Sequence, residues 1–112
     1  MDIGIDLIEV KRIKQLVKNK RFVERVFTAG EVKYCNSKKN YGQHYAVRFA
    51  AKEAVWKALN RKEISHKDIT VINDLSGKPK IKLSAKYNHL EKGLFISLTH
   101  TKEYASAVAI CK

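Results

Sequence analysis

Residues 48–59 read RFAAKEAVWKAL, the greater part of a helix that the spacing predicts from about Gln43 to Leu59. Val47, Ala51, Ala54, Val55, Ala58 and Leu59 make a broad apolar face, with Phe49 and Trp56 at its margins. Alanine is the strongest helix former, and so wide an apolar face must be covered by another layer. The segment is the longest well-patterned element of the chain and is expected at the centre of the core. Around it the hydrophobic period falls to two, the signature of strands. In IGIDLI (3–8), Ile3, Ile5 and Leu7 point one way, and Gly4, Asp6 and Ile8 the other. DITVIND (68–74) and KPKIKLS (78–84) read as strands joined at LSGK, and LFISLTH (94–100) and YASAVAIC (104–111) as a second hairpin around HTKE. Ala105, Ala107 and Ala109 alternate there, small enough for a helix to lie close.

Shorter helices fill the intervals. One is predicted from about Glu9 to Lys18, burying Val10, Ile13 and Val17. Another runs from about Ala29 to Lys38, where Thr28 and Glu31 have the spacing of a capping box. Ser65 and Asp68 repeat that spacing before a strand and mark a short turn, while SAKYNHLEKG (84–93) reads as a short helix stopped by Gly93. The expected order is one strand, three helices, two strands, a short helix and two strands. That is an α+β fold with a largely antiparallel sheet packed against helices, in one domain over residues 1–112.

The chain carries 23 Lys plus Arg against 11 Asp plus Glu, a formal net charge of +12. Such an excess points to an anionic partner, whether nucleic acid, acidic membrane, acidic protein or phosphorylated ligand. The cations are spread over structured elements rather than gathered in a basic tail. The start MDIGIDLIEV lacks the basic region and long apolar core of a secretory signal, and no apolar run approaches the roughly 20 residues that span a bilayer. Cys35 and Cys111 lie far apart with no CxxC, so two reduced thiols in a cytoplasmic protein are expected. The absence of HxH, HExxH or a Cys/His cluster argues against zinc. Without GxxxxGK[ST] or GxGxxG, a P-loop or Rossmann nucleotide site is unsupported.

Within 48–59, Glu53 is the only acid, among Arg48, Lys52 and Lys57. Ala46, Ala50, Glu53 and Lys57 fall on one helical stripe, where small neighbours would let a ligand approach the carboxylate. A plain Glu53–Lys57 ion pair, worth about 0.3–0.5 kcal/mol, is the simpler account of the same spacing. Arg48 and Lys52 are like charges at the same spacing, a conflict that an external anion would relieve. Asp6 is an acid among aliphatic residues, costly to bury unless hydrogen-bonded or functional. If the first strand packs on the long helix, Asp6 and Glu53 converge. Two carboxylates are what Mg²⁺ commonly takes from a protein when phosphates and waters complete its shell. His100 ends a predicted strand, either as an exposed turn residue or as a phosphate or proton contact; His44, His66 and His89 have no comparable setting. Lys11, Arg12, Lys14, Lys18, Lys20, Arg21 and Arg25 cluster early, with Phe22 and Phe27 interleaved. That pattern suits either a solvated helix face or the docking of an acidic partner.

Four stretches, taken in order, resemble a known family. GIDLIEVKRI (4–13), RFVERVFTAGEVKYC (21–35), RFAAKEAVWKAL (48–59) and ISLTHTKEYASAVA (96–109) are similar to the motifs of the small 4′-phosphopantetheinyl transferases, the holo-acyl-carrier-protein synthases. DITVINDLSGKPKI (68–81) fits the intervening hairpin, so the resemblance covers nearly the whole chain. Trp56 is a variation within the third motif, expected to affect packing rather than chemistry. The resemblance implies transfer of phosphopantetheine from coenzyme A to a serine of an apo acyl carrier protein, with Mg²⁺ as cofactor and release of 3′,5′-ADP, in fatty acid biosynthesis. It implies Asp6 and Glu53 as metal ligands, and Glu53 and Lys57 as catalytic residues with Lys57 on the pyrophosphate. Arg48, Lys57, His100 and Thr101 would bind coenzyme A, and Arg12, Arg21, Phe22 and Arg25 the acidic carrier protein. Glu53, directly or through a water, would take the serine proton. A homotrimer is implied as well, with neither nucleic acid nor membrane as partner. On charge alone, a basic nucleic-acid-binding domain is the competing expectation, marked by affinity that falls steeply with salt.

Overall fold

The computed structural model describes residues 1–112. β1 (Asp2–Glu9) is followed by α1 (Val10–Leu16), α2 (Lys20–Val26), α3 (Ala29–Asn36) and the long α4 (Tyr41–Leu59). A 3₁₀ turn (His66–Asp68) leads into β2 (Ile69–Asn73) and β3 (Pro79–Leu83); a 3₁₀ segment (Ala85–Gly93) leads into β4 (Leu94–His100) and β5 (Tyr104–Cys111). β5 lies between β1 and β4, all antiparallel, and β2–β3 form a separate antiparallel hairpin. The expected α+β architecture stands. α2, however, makes four α-helices where three were expected, and residues 85–93 are 3₁₀ in form. α2 has seven residues, starts on Asn19, whose side chain accepts from the Arg21 and Phe22 N–H groups, and fully buries only Val26. Its apolar pattern is too brief to stand out from the cations around it.

Small residues decide how the two main layers meet. Ala46, Ala50, Ala54 and Ala58 of α4 are buried, as are Ala105, Ala107 and Ala109 of β5. Gly4 of β1 sits so close to α4 that a Cβ there would collide with the Ala54 carbonyl and lie 2.9 Å from the Ala58 nitrogen. Glycine is required because backbone meets backbone. This corrects the expectation for Ala46 and Ala50: their smallness admits the sheet, not a ligand. The alternation in β1 is also assigned to its faces. Gly4, Asp6 and Ile8 turn toward α4, whereas Ile3, Ile5 and Leu7 are 68%, 65% and 64% exposed. Across the sheet, Ile3 pairs with Ile110 and Ile110 with Phe95, extending that outward apolar face.

A buried ion pair ties three elements together. Lys52 Nζ lies 2.5 Å from Glu31 Oε1, and both side chains are fully buried. Glu31 also accepts from the Thr28 and Val71 N–H groups, and Lys52 donates to the Ile69 carbonyl. Burial lowers the Lys52 ammonium from its ordinary range, and Glu31 pulls it back up. Lys52 therefore faces the core and needs no external anion, contrary to the reading of its spacing to Arg48. The capping box at Thr28 forms as expected, and its glutamate serves the core at the same time. Cys35 is buried and free, its thiol pushed up to about 12 by burial; Cys111 is also free. No helix is long and apolar enough to cross a membrane.

Candidate active site

The packing of β1 on α4 brings Asp6 and Glu53 to one cavity of about 280 Å³, lined also by Leu7, Ile8, Arg12, Leu16 and Phe49. The close approach at Gly4, two residues before Asp6, fixes this meeting. Asp6 Oδ1 lies 3.4 Å from Lys57 Nζ, which also donates to the Ile5 carbonyl at 2.9 Å. Asp6 Oδ2 is buried with no hydrogen-bond partner. Burial raises the Asp6 carboxyl above its usual range; Lys57 opposes the shift and the Glu53 charge adds to it. A carboxylate with one orphaned buried oxygen beside a second carboxylate suits a hard divalent cation that completes its shell with phosphate and water oxygens. No group of three or more His, Cys, Asp or Glu side chains converges, so phosphate and water oxygens would have to complete the shell of any cation held by Asp6 and Glu53.

The helical ion pair expected between Glu53 and Lys57 does not form. Lys57 reaches across to Asp6, and Glu53 Oε1 lies 3.0 Å from His66 Nε2. His66 was given no role from the sequence. The available signal was the stripe Phe49, Glu53, Trp56 on α4, with aromatics flanking an acid at helical spacing.

A second cavity, about 230 Å³, is lined by Tyr34, Gln43, His44, Val47, Arg48, Asn73, Pro79, Leu98 and His100. Arg48 and His100 thus share one cavity. Arg48 is only 5% exposed; its guanidinium lies 4.1 Å from the Tyr34 ring centre and 3.4 Å from Asn73 Oδ1. Arg48 Nε has no partner. The chain's two orphaned buried side-chain atoms thus belong to an acid in one cavity and a cation in the other, a pairing that suits a metal and an anion. His44, also unassigned from the sequence, joins this cavity; burial lowers its imidazole first, and Arg48, Lys38 and His100 lower it further. Thr101 is exposed beside His100, and its hydroxyl oxygen accepts from the Glu103 and Tyr104 N–H groups to close the hairpin turn. It does not line the cavity.

Of the basic residues on α1 and α2, Arg12, Arg21 and Arg25 are exposed, and Arg12 stands at the carboxylate cavity itself. Phe22 is half-buried, its ring packed against Phe27 and Phe49, so it is part of an aromatic cluster rather than a free anchor. Another cavity, about 620 Å³, lies between β3 and β4 and is lined by four lysines, Glu91 and apolar residues, with no pair of carboxylates.

Residues 2–109 match the family profile described as the 4′-phosphopantetheinyl transferase superfamily. The chain is 42% identical over 117 residues to the holo-[acyl-carrier-protein] synthase of Geobacter sp. strain M21, covering 96% of this chain and 94% of that one. It is similar to the crystal structure of a holo-(acyl-carrier-protein) synthase from Bacillus anthracis in complex with CoA (3′,5′-ADP), with TM-score 0.80 and 36% identity over 98% of this chain and 94% of that one. It is also similar to the Helicobacter pylori holo-[acyl-carrier-protein] synthase in complex with coenzyme A, with TM-score 0.84 and 32% identity over 98% of this chain and 99% of that one.

Proposed function

Because the chain belongs to the 4′-phosphopantetheinyl transferase superfamily, among its holo-[acyl-carrier-protein] synthases, we propose that it transfers 4′-phosphopantetheine from coenzyme A to a serine of an apo acyl carrier protein, with Mg²⁺ and release of 3′,5′-ADP. The observation that carries this is the meeting of Asp6 and Glu53 at one cavity, with an orphaned carboxylate oxygen on Asp6. Those two residues would hold the metal, which when bound would supply Lewis-acid polarisation of the pyrophosphate and offset charge on the departing nucleotide. Lys57, beside Asp6, adds positive charge where negative charge develops. Arg48 and His100 bind a phosphate of coenzyme A from the neighbouring cavity, whereas Thr101 acts through the turn that carries His100 rather than from the cavity wall.

The nucleophile is the serine hydroxyl of the carrier, so this chain needs none. The serine oxygen bonds to the phosphorus that bears the pantetheine arm, and the bond from that phosphorus to 3′,5′-ADP breaks. The serine proton passes to Glu53, directly or through a water. Arg12, Arg21 and Arg25 present exposed cations to an acidic carrier, which favours fast, steered encounter; Phe22 contributes only the accessible part of its ring. Ile3, Ile5, Leu7 and Phe95 stand exposed on the outer side of the sheet, and contiguous exposed apolar surface marks interaction sites, which supports the reading of a homotrimer packed through the sheet. On this assignment the carrier serves fatty acid biosynthesis, and transfer takes place in the cytoplasm.

The test is to mix the protein with coenzyme A, Mg²⁺ and an apo acyl carrier protein and to weigh the carrier by mass spectrometry. A phosphopantetheine adduct that EDTA abolishes is expected. No adduct, or one indifferent to EDTA, refutes the proposal.

A further inference from the structure

His66 has no part in the chemistry above, yet its ring is mostly buried and flanked by two aromatic rings. Phe49, Glu53 and Trp56 share one face of α4, and the imidazole lies over it. The ring is inclined 14° to Phe49 and 21° to Trp56, with each centroid 6.2 Å away. Between the two aromatics, His66 Nε2 meets Glu53 Oε1 at 3.0 Å, with both side chains about three-quarters buried. A carboxylate accepts and does not donate, so the hydrogen belongs to Nε2.

The backbone that carries this ring is held on every side. Asp68 Oδ2 accepts from the Ser65 N–H at 2.9 Å, and Asp68 Oδ1 from the Ser84 hydroxyl at 2.7 Å. The Trp56 indole N–H donates to the Ile64 carbonyl at 2.9 Å, and Lys67 Nζ donates to the Glu24 carbonyl on α2 at 2.6 Å. A glutamate on a helix has three rotatable side-chain bonds and would otherwise sample many rotamers. With Oε1 tied to a fixed donor, it is restricted to few of them, and Glu53 lines the cavity it shares with Asp6.

We propose that His66 is a positioning residue: its Nε2–H holds Glu53 in the rotamer that presents the free oxygen to the divalent cation, and so sets the metal affinity of the site. This rests on the reading of Asp6 and Glu53 as the metal ligands. Hydrogen-bond partners of metal-binding side chains typically govern affinity by about 10–100-fold. Phe49 and Trp56 contribute by excluding other orientations of the imidazole.

The probe is Mn²⁺, titrated by electron paramagnetic resonance against the protein with coenzyme A present. His66→Phe keeps the aromatic stack and removes the donor. It is expected to weaken Mn²⁺ binding by about 10–100-fold while the melting temperature without metal stays near wild type. His66→Gln returns an N–H close to the position of Nε2 and is expected to recover most of the affinity. Asp6→Asn separates the two readings, since it removes a ligand and leaves His66 intact. If Asp6→Asn abolishes binding but His66→Phe binds Mn²⁺ as tightly as wild type, the role of His66 is overturned and the metal site stands. His66→Gln no better than His66→Phe overturns it too. A wild-type protein that takes up no Mn²⁺ overturns the metal site and, with it, this role.

Discussion

Replacing Gly4 with alanine tests how the fold builds the site. The added Cβ would lie 2.9 Å from the Ala58 nitrogen and 3.1 Å from the Ala54 carbonyl carbon, and closer still to the Ala54 oxygen. All three are backbone atoms of α4, so no side chain can swing aside. β1 must withdraw from the helix, and overpacking of this kind costs about 1–3 kcal/mol. In a domain of this size each kcal/mol lowers the melting temperature by about 4–8 °C. Asp6 lies two residues further along the same face, so the withdrawal carries it away from Glu53. Misplacement by about 1 Å at reacting groups costs about a hundredfold in rate. The Gly4→Ala variant is therefore expected to melt lower and, at a temperature where it remains folded, to transfer phosphopantetheine about a hundredfold more slowly. Gly30→Ala is the control: a Cβ there meets nothing within 4 Å, and a helical alanine is up to about 1 kcal/mol better than glycine. Wild-type melting and transfer by Gly4→Ala would refute the claim that backbone contact at this point sets the site.

Three further outcomes are expected. Lys52→Met leaves Glu31 buried with only the Thr28 and Val71 N–H groups and should cost about 3–5 kcal/mol by urea unfolding, much of it regained in the Glu31→Gln, Lys52→Met double variant. Asp68 is held below its usual range chiefly by the Ser65 N–H, so its charge stabilises the fold fully above about pH 4, and that contribution fades as pH falls through the lowered value. The melting gap between wild type and Asp68→Asn should then close on acidification from pH 7; a gap of constant size contradicts this. Ile5→Lys, in the middle of the outward apolar face, should convert the proposed trimer to monomer in sedimentation, and an unchanged sedimentation coefficient would remove that face as the interface.

Much of the fold was legible because its signals are local. Strand alternation, the Thr28–Glu31 and Ser65–Asp68 caps and the alanine-rich helix each depend on neighbours a few residues apart. What was not legible depends on which face meets what. Alternation in β1 shows that Ile3, Ile5 and Leu7 share a side, but Gly4 carries no hydrophobic signal and still decides that the other side packs on α4. Lys52 and Glu31 look like surface charges until the fold pairs them, because a buried ion pair has the same composition as two exposed ions. The convergence of Asp6 with Glu53 at one cavity was foreseen, given packing of the first strand on the long helix. His66 and His44 were not, since their partners lie 13 residues away on α4 for one and, for the other, in a cavity built from α3, α4, β4 and the β2–β3 hairpin.

Transfer by Glu53→Gln in excess Mg²⁺ bears most directly on the carboxylate pair. The amide keeps the shape of the side chain and can still accept from His66, so the fold should melt as wild type does. A bound metal contributes several kcal/mol to transition-state stabilisation, and each 1.36 kcal/mol is tenfold in rate. Phosphopantetheine transfer to the carrier, followed by mass spectrometry, is expected to fall by at least about a hundredfold. Near wild-type transfer by this variant would contradict the assignment of Glu53 as a metal ligand at the reacting phosphate.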